Sequence, residues 1–407
     1  MEIPILGFPG YINELGSEFE HLFPQKRQTR QFKRLIAGFA VADKHSIAHM
    51  NGMFVHHTDQ SNLNRFITKS GWKPDDVNKI KIEMINSVEG GGVVVIDDYL
   101  VEKYGKEMYG VDWYYDHAKN GTVWGVQVAD CVFSGKGIYP LLSTQYVREN
   151  SRWDKGGFMT KIEIQMRHLT RLVDAGLIFS CVAMDIWYFS KDLIRHIEGL
   201  NKDWTGQCKG NRLVWSRGAW TPLAEFANRE INRKEFRAVK IAGDTYLMKA
   251  FTVKMKEIGT VRILVSLNKH GNFTFYASNR LDWGELDIVK HYSPRWDIEV
   301  WHREGKNGYG LKDCTLRGRD AVSKYLTLSA LAQVFLEIAS MLSPVYAMLK
   351  KQVKTPELKR RWVIIEMVKQ LIALAHRNKD KIMGEVFASI LCPYGSTMGK
   401  INKAMPC

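Results

Sequence analysis

Two short apolar runs that each lead to acidic residues constrain the fold of this chain most. Residues 93–96 read Val-Val-Val-Ile, follow three glycines and precede Asp97 and Asp98. Residues 177–184 form a second apolar run, and Asp185 follows it. Short β-branched, apolar runs bounded by turn residues are typical of buried strands. The sequence therefore predicts two buried strands that carry carboxylates at their ends.

Further strands and helices surround these two runs. The Asn120-Gly121 pair is a hairpin turn pattern, and it predicts a strand over 122–133 with a third over 138–146. Residues 161–174 have helical spacing, and Ala175-Gly176 ends it. Before the first strand, residues 28–81 are predicted to be helical, with Asp59 as an N-cap. These patterns indicate an α/β protein.

The second half of the chain changes character twice. Residues 212–286 alternate short strand patterns with turn residues, which predicts a β-rich insertion. From Ser293 the chain becomes helical almost to its end. Ser293 as N-cap and Pro294 at the first helical position predict a helix start there.

Polar residues follow one stripe of that helix. Spacings of three and four place Arg295, Glu299, His302 and Lys306 along it, with Tyr292 just before. A solvated helix face with intrahelical ion pairs, each worth about 0.2–0.5 kcal/mol, is the simplest explanation of such a stripe. The order of residue types along the stripe favours a second explanation.

The stripe resembles the Tyr-x2-Arg-x3-Glu-x6-Lys pattern of DDE transposases from bacterial and archaeal insertion sequences. Tyr292, Arg295, Glu299 and Lys306 fit every position of that pattern. The resemblance implies an α/β fold with a ribonuclease-H-like core and a mixed five-stranded sheet. In that family the first acid lies on the first strand, the second follows the fourth strand, and a β-rich insertion precedes the helix that carries the Glu.

By this resemblance, the catalytic acids are Asp97, Asp185 and Glu299. Asp98 is held in reserve, because strand alternation points neighbouring side chains to opposite faces and only one of the pair can face the site. Relatives often place the catalytic acid first at this strand end, which favours Asp97, although Tyr99 departs from the small hydroxyl residue that they carry two positions later.

The chemistry of the resemblance also predicts the cofactor and the DNA contacts. Phosphodiester cleavage needs an activated oxygen nucleophile and stabilisation of the leaving oxygen, and two hard cations can provide both. Carboxylate oxygens suit Mg²⁺, so Asp97, Asp185 and Glu299 are predicted to hold two Mg²⁺ ions in one site, with Mn²⁺ as a substitute. Arg295 and Lys306 would hold DNA phosphates, and Tyr292 would contact the backbone of the transposon end.

The resemblance and the patterns divide the chain into five predicted segments. Residues 1–88 are a helical DNA-binding region, and 89–214 form the first part of the catalytic core. Residues 215–288 are the β-rich insertion, 289–350 complete the core with the Glu helix, and 351–407 are a helical C-terminal region.

Charge and composition agree with a DNA partner. The chain of 407 residues has 58 Lys and Arg against 43 Asp and Glu, a net charge of +15, which favours a polyanionic partner. The six cysteines form no Cys-x2-Cys pair, which argues against a zinc site or a disulfide framework. Without an evident leader or membrane segment, the protein is expected to be cytoplasmic, associated with the nucleoid of a prokaryote, and to make no membrane contact.

The leading hypothesis is a cut-and-paste DNA transposase that acts as a homodimer on paired inverted-repeat ends and inserts them into double-stranded target DNA. Two alternatives stay open at this point. One is a transposase-derived DNA-binding protein that no longer cleaves, and the other is a structure-selective nuclease on the same fold. Strand-transfer products would distinguish a transposase from a nuclease.

Overall fold

The structure is a computed structural model that describes residues 3–231, 233–241, 244–267, 271–342 and 356–377. Much of the predicted C-terminal region at 351–407 therefore lies outside the described residues. The described chain combines a helical N-terminal part, one large mixed sheet and helices that cover both faces of that sheet.

Five helices precede the sheet. They are α1 (Gly10–Ser17), α2 (Lys26–Val41), α3 (Ile47–Gly52), α4 (Gln60–Thr68) and α5 (Pro74–Val88). The predicted cap is confirmed, because the Asp59 carboxylate accepts a hydrogen bond of 2.7 Å from the backbone N–H of Ser61. Pro74 begins α5 and fits the first turn, where its missing N–H has no partner to lose.

The first six strands lie at one end of the sheet. They are β1 (Val93–Glu102), β2 (Asp112–Asp116), β3 (Gly121–Ser134), β4 (Ile138–Tyr146), β5 (Cys181–Met184) and β6 (Asp203–Cys208). Strand β3 pairs antiparallel with β1 on one side and with β2 and β4 on the other. Strands β1, β5 and β6 are parallel neighbours. Helices α6 (Lys161–Asp174) and α7 (Lys191–Gly199) connect these strands.

Strand β1 is longer than the sequence predicts. The sequence predicts an end at Asp97 and Asp98, but the strand continues to Glu102 and pairs with β3 along its whole length. The buried side chains of Tyr99 and Val101 keep the alternation of a strand beyond the two acids. Only the parallel partner β5 ends here, after the Ile96–Met184 pair. The acids therefore lie where a neighbouring strand stops.

The insertion extends the sheet. Its strands are β7 (Leu213–Ser216), β8 (Ala219–Pro222), β9 (Arg237–Ile241), β10 (Asp244–Met255), β11 (Gly259–Leu267) and β12 (Phe273–Ser278), with helix α8 (Leu223–Glu230) among them. Strand β12 pairs antiparallel with β6, so the sheet has 12 strands and not the predicted five. The order β4-β3-β1-β5-β6 is a contiguous part of this larger sheet.

Two helices follow the insertion, α9 (Glu285–Tyr292) and α10 (Arg295–Gly308). The predicted cap at Ser293 is wrong. Ser293 follows the last residue of α9 and donates its hydroxyl to the carbonyl of Lys290, while Pro294 precedes α10 without a side-chain cap. The short turn between the two helices places Tyr292 at the end of one and Arg295 at the start of the next.

Helix α11 (Arg319–Leu342) lies in the centre of the molecule. It packs against β4, α2 and α5, and nearly all its residues from Ala321 to Ser340 are buried. By length and composition α11 is the one helix of the described chain that could cross a membrane, but 89% of its most apolar window is buried inside the protein. The last described helix, α12 (Pro356–Arg377), packs against α11, α10 and α2.

Candidate active site

Asp97 and Asp185 are brought together by the parallel pairing of their strands. Ile96 and Met184 are the last paired residues of β1 and β5, and the two acids come directly after them. Burial is the main cause that raises the pKa of Asp97 to about 7, and the charge of Asp185 adds to the rise while His302 opposes it. The Asp185 carboxylate is thus close enough to Asp97 to disfavour its ionisation.

Asp185 is held by the chain that follows it. Its Oδ1 accepts hydrogen bonds of 3.0 Å from the backbone N–H groups of Trp187 and Tyr188. Burial raises the pKa of Asp185, and these two hydrogen bonds oppose the rise. The local turn therefore orients the carboxylate and leaves its second oxygen available.

Asp97 and Asp98 lie on opposite faces of β1. Asp97 is directly across from Asp130 of β3, and residues paired in this way share a face. Asp130 in turn accepts a 2.8 Å hydrogen bond from the indole N–H of Trp301, so the face that carries Asp97 is covered by α10. Asp97 therefore faces the helix of Glu299.

Asp98 has its own set of partners on the other face. Its carboxylate accepts from the Lys161 ammonium at 2.9 Å, the Tyr188 hydroxyl at 2.8 Å and the Gln127 amide at 2.5 Å. Lys161 belongs to α6, which covers this face of the sheet. A carboxylate with three such partners is already satisfied by the protein.

Arg295 links the three predicted acids. Its guanidinium forms an ion pair with Glu299 one turn further along α10. Burial alone would lower the pKa of Arg295, but Glu299 and the charge of Asp97 raise it above its ordinary value. Arg295 also acts on Asp185, where its charge opposes the rise in pKa. One cation thus lies within electrostatic reach of all three carboxylates.

The remaining residues of the pattern flank these acids. The Tyr292 ring packs on Tyr276 of β12 at 4.6 Å, and its hydroxyl donates to Gln207 of β6 at 3.4 Å. Burial raises the pKa of Tyr292, so the phenol stays protonated. Lys306 lies at the far end of α10 with its ammonium 5.3 Å from the Tyr99 ring, and burial lowers its pKa.

A buried network that sequence analysis missed fixes α10 to the sheet. Asp130 has no exposed surface and accepts hydrogen bonds from Trp301, from the Ser143 hydroxyl at 2.8 Å and from the backbone of Cys131 at 3.0 Å. His302 Nε2 lies 3.4 Å from the same carboxylate. The one sequence signal for this network is the position of Asp130 within an apolar strand pattern.

The chemistry of the donor set fits a hard cation, because Asp97, Asp185 and Glu299 supply only carboxylate oxygens. In the described part of the chain, however, no three His, Cys, Asp or Glu side chains converge as a metal site would require. The Glu299 carboxylate instead pairs with the Arg295 guanidinium. Its side chain is 37% exposed and has room to change direction.

Comparison with known proteins identifies the family. The family described as DDE superfamily endonuclease matches residues 18–225, about half of the chain, and the transposase DDE domain matches residues 166–335. No curated protein sequence matches. Seven chains of solved structures match, among them the piggyBac transposase in a synaptic complex with hairpin DNA, with 12% identity and a TM-score of 0.45 over 91% of this chain and 76% of that one. On the two family matches, the chain belongs to the DDE superfamily of endonucleases and is a DNA transposase.

Proposed function

We propose that this transposase cuts DNA at transposon ends and joins them to target DNA at a site formed by Asp97, Asp185 and Glu299. The observation that carries the proposal is the position of Arg295, which pairs with Glu299 and acts electrostatically on both aspartates. The location of Asp97 on the face covered by α10 supports its choice over Asp98, which is engaged by α6.

The proposed cofactor is Mg²⁺, with Mn²⁺ as a substitute and two ions per site. Asp97 and Asp185 supply adjacent carboxylates whose pKa values are raised mainly by burial. Glu299 would complete the ligand set by turning from Arg295 to the aspartates. When bound, the ions would supply the Lewis acidity that phosphodiester cleavage needs.

The protein's own groups would orient the DNA. Release of Glu299 frees the Arg295 guanidinium, whose planar fork suits a phosphate. Lys306, whose ammonium lies over the Tyr99 ring, is placed to contact a second phosphate along α10. Tyr292, with a protonated hydroxyl, would donate to the backbone of the transposon end. In this arrangement Arg295 would exchange its carboxylate partner Glu299 for a DNA phosphate.

The same proposal includes the arrangement of the chain and its assembly. The helical segment at 1–88 and the insertion at 215–288 would contact transposon-end DNA, while 89–214 and 289–350 form the catalytic core. Two copies would act on paired ends, because cut-and-paste transposition joins both ends of one element to the same target. The net charge of +15 supports extensive contact with DNA phosphates.

The test is incubation of the purified protein with DNA that carries its element's ends, together with Mg²⁺ or Mn²⁺. We expect metal-dependent cutting at the ends and strand-transfer products, both lost in Asp97→Ala, Asp185→Ala and Glu299→Ala. Glu299→Gln should lose cutting but keep most of its DNA affinity, because binding depends mainly on Lys and Arg contacts with phosphates.

Asp98→Ala is the matched control. It removes a carboxylate from the same strand but from the face covered by α6. The variant should therefore still cut DNA under conditions in which it is folded. Loss of cutting in a folded Asp98→Ala, with activity kept in Asp97→Ala, would reverse the assignment. Cutting without any strand transfer would instead indicate a nuclease.

A further inference from the structure

A basic groove lies at the edge of the sheet, between α6, β4 and the start of α11. A cavity of about 450 Å³ forms its inner part, and a second of about 540 Å³ adjoins it and shares Tyr109, Gln145 and Arg319. We call both together the α6–α11 groove. Among its described lining residues there is none of the six residues proposed for catalysis and DNA orientation, so the groove is separate from that site.

Positive charge dominates the lining of the α6–α11 groove. Seven cationic residues face three acidic ones. The acids are largely engaged, since Asp75 pairs with Arg171 and Asp320 pairs with Lys324 at 2.7 Å. The cations are Lys73, Arg152, Lys155, Arg167, Arg171, Arg317 and Arg319.

Three of these arginines have no internal counter-ion. Arg167, Arg317 and Arg319 are exposed at the rim, and within the described ranges none of them forms an ion pair. A cation of this kind gives up little on binding an external anion, because no existing ion pair has to be broken. Guanidinium groups also bind phosphate oxygens through two parallel hydrogen bonds.

The floor of the groove is rigid and uncharged. His168 is 1% exposed and bonds to the Thr144 hydroxyl at 2.7 Å and to Gln165 at 3.2 Å. Burial, together with the charges of Arg171 and Arg167, lowers the pKa of His168 to about 3, so the imidazole is neutral at ordinary pH. The positive potential of the groove therefore comes from its rim.

One wall of the groove is built from aromatic residues. The Trp153 indole N–H donates to the carbonyl of Val111 at 3.1 Å, and its ring packs on Tyr109 at 5.7 Å. The Arg152 guanidinium lies 4.4 Å above the same indole. These contacts hold the rim in a fixed shape, which lowers the entropy lost when a ligand binds.

Two buried polar atoms in the lining also lack a partner. The side-chain oxygens of Asn78 and Gln145 are buried and accept no hydrogen bond from the described residues. Buried acceptors of this kind are usually satisfied by water or by a ligand. The inner cavity is large enough for either.

We infer that the α6–α11 groove binds the phosphodiester backbone of DNA at a second place, away from the acids. The rim arginines would contact successive phosphates along its edge, and the groove would guide a stretch of the same DNA that the catalytic site processes. This inference rests on the proposed function for the identity of its ligand. The residues that would bind DNA in the groove are different from those proposed for the catalytic site.

The test compares Arg167→Ala/Arg317→Ala/Arg319→Ala with the wild type in binding a labelled DNA duplex of unrelated sequence, by fluorescence anisotropy over a series of KCl concentrations. Log affinity falls as log salt rises, and each lost phosphate contact should make this slope less steep by roughly 0.9. We therefore expect the slope to fall by roughly two to three and the affinity at about 0.1 M salt to fall at least roughly tenfold.

Two control variants keep the comparison interpretable. The triple Arg→Lys variant at the same positions should keep most of the salt slope, which shows that the loss comes from charge and not from misfolding. Lys119→Ala/Lys136→Ala/Arg195→Ala removes three exposed cations that lie outside the groove and outside the segments proposed to contact DNA, and it should change the slope by less than one. An unchanged slope in the groove variant, or an equal loss in the outside variant, would overturn the inference.

Metal-dependent cutting separates this inference from the proposed function. At saturating protein, the groove variant should still cut transposon ends, because its catalytic acids are intact. If the wild type cuts and the groove variant binds DNA as well as the wild type does, the inference about the groove is wrong and the proposed function stands. If the wild type does not cut but the groove variant still loses its salt slope, the proposed function fails and the groove stands.

Discussion

At the scale of single residues, Asp97 and Asp98 show how strand alternation places two identical side chains in different environments. Asp98 points to α6 and is compensated by Lys161, Tyr188 and Gln127. Asp97 points to α10, where burial and Asp185 raise its pKa to about 7. A buried acid whose pKa is raised in this way destabilises the folded state when it ionises, which is a frequent property of functional sites.

Asp97→Asn should therefore stabilise the metal-free protein at alkaline pH. The folded pKa of about 7 lies above the unfolded value, so the wild type loses stability as pH rises from about 4 to 7, and the amide avoids this loss. We expect Asp97→Asn to gain about 1–3 kcal/mol at pH 8 and almost nothing near pH 4. Urea unfolding in EDTA at both pH values measures the difference.

Asp98→Asn serves as the comparison, since it breaks the ion pair with Lys161 and should lose stability at pH 8. Equal pH profiles of stability for wild type and Asp97→Asn would contradict the argument.

The sequence could predict that these two acids face opposite ways, because alternation is a local property. Strand alternation could not indicate which of them points to α10, because that depends on the placement of α6 and α10, and the preference for Asp97 came from the family resemblance alone.

At the scale of elements, local patterns predicted boundaries well where a cap defines them. Helix α6 spans Lys161–Asp174 as predicted, because Thr160 and Glu163 cap each other at its start and Gly176 follows its end. The end of β1 was misjudged because its continuation depends on pairing with β3. The position of α10 was beyond prediction as well, since Trp301 and its partner Asp130 are separated by 171 residues.

Asp130→Ala tests the role of this anchor. The change leaves the indole N–H of Trp301 and the hydroxyl of Ser143 without their acceptor in a buried place, and each lost partner costs about 1–3 kcal/mol. We expect a loss of about 2–4 kcal/mol in urea unfolding, with weaker Mn²⁺-dependent cutting under conditions where the variant is still folded.

Trp301→Phe removes a single donor and keeps the ring, so its loss should be about 1 kcal/mol. A folded Asp130→Ala that cuts as fast as the wild type would show that α10 is held in place by other contacts. Because Asp130 faces the site without being one of its three predicted acids, this variant also separates loss of position from loss of a ligand.

At the scale of the whole molecule, contacts between distant segments determine the architecture. The pairing of β12 with β6 joins the insertion to the core as one sheet, which no local pattern could reveal. Helix α11 fills the centre and contacts both the sheet and the N-terminal helices. One buried ion pair ties α12 to this centre, between Glu337 of α11 and Lys359 of α12.

That ion pair should make the docking of α12 depend on charge. Glu337 is 1% exposed, burial raises its pKa, and its carboxylate accepts from Lys359 and, at 2.9 Å, from Gln333. Lys359→Met leaves the acid without its cation and should cost about 3–5 kcal/mol. Because the folded pKa of Glu337 is raised, stability falls as pH increases, and the loss should be larger at pH 8 than at pH 5.

Adding Glu337→Gln to Lys359→Met should recover most of the loss in urea unfolding, since a neutral amide has a much smaller desolvation cost than a buried charge. If the double variant is instead as unstable as the sum of its single changes, the pair does not act as a unit and α12 is held mainly by its apolar contacts with α11 and α2.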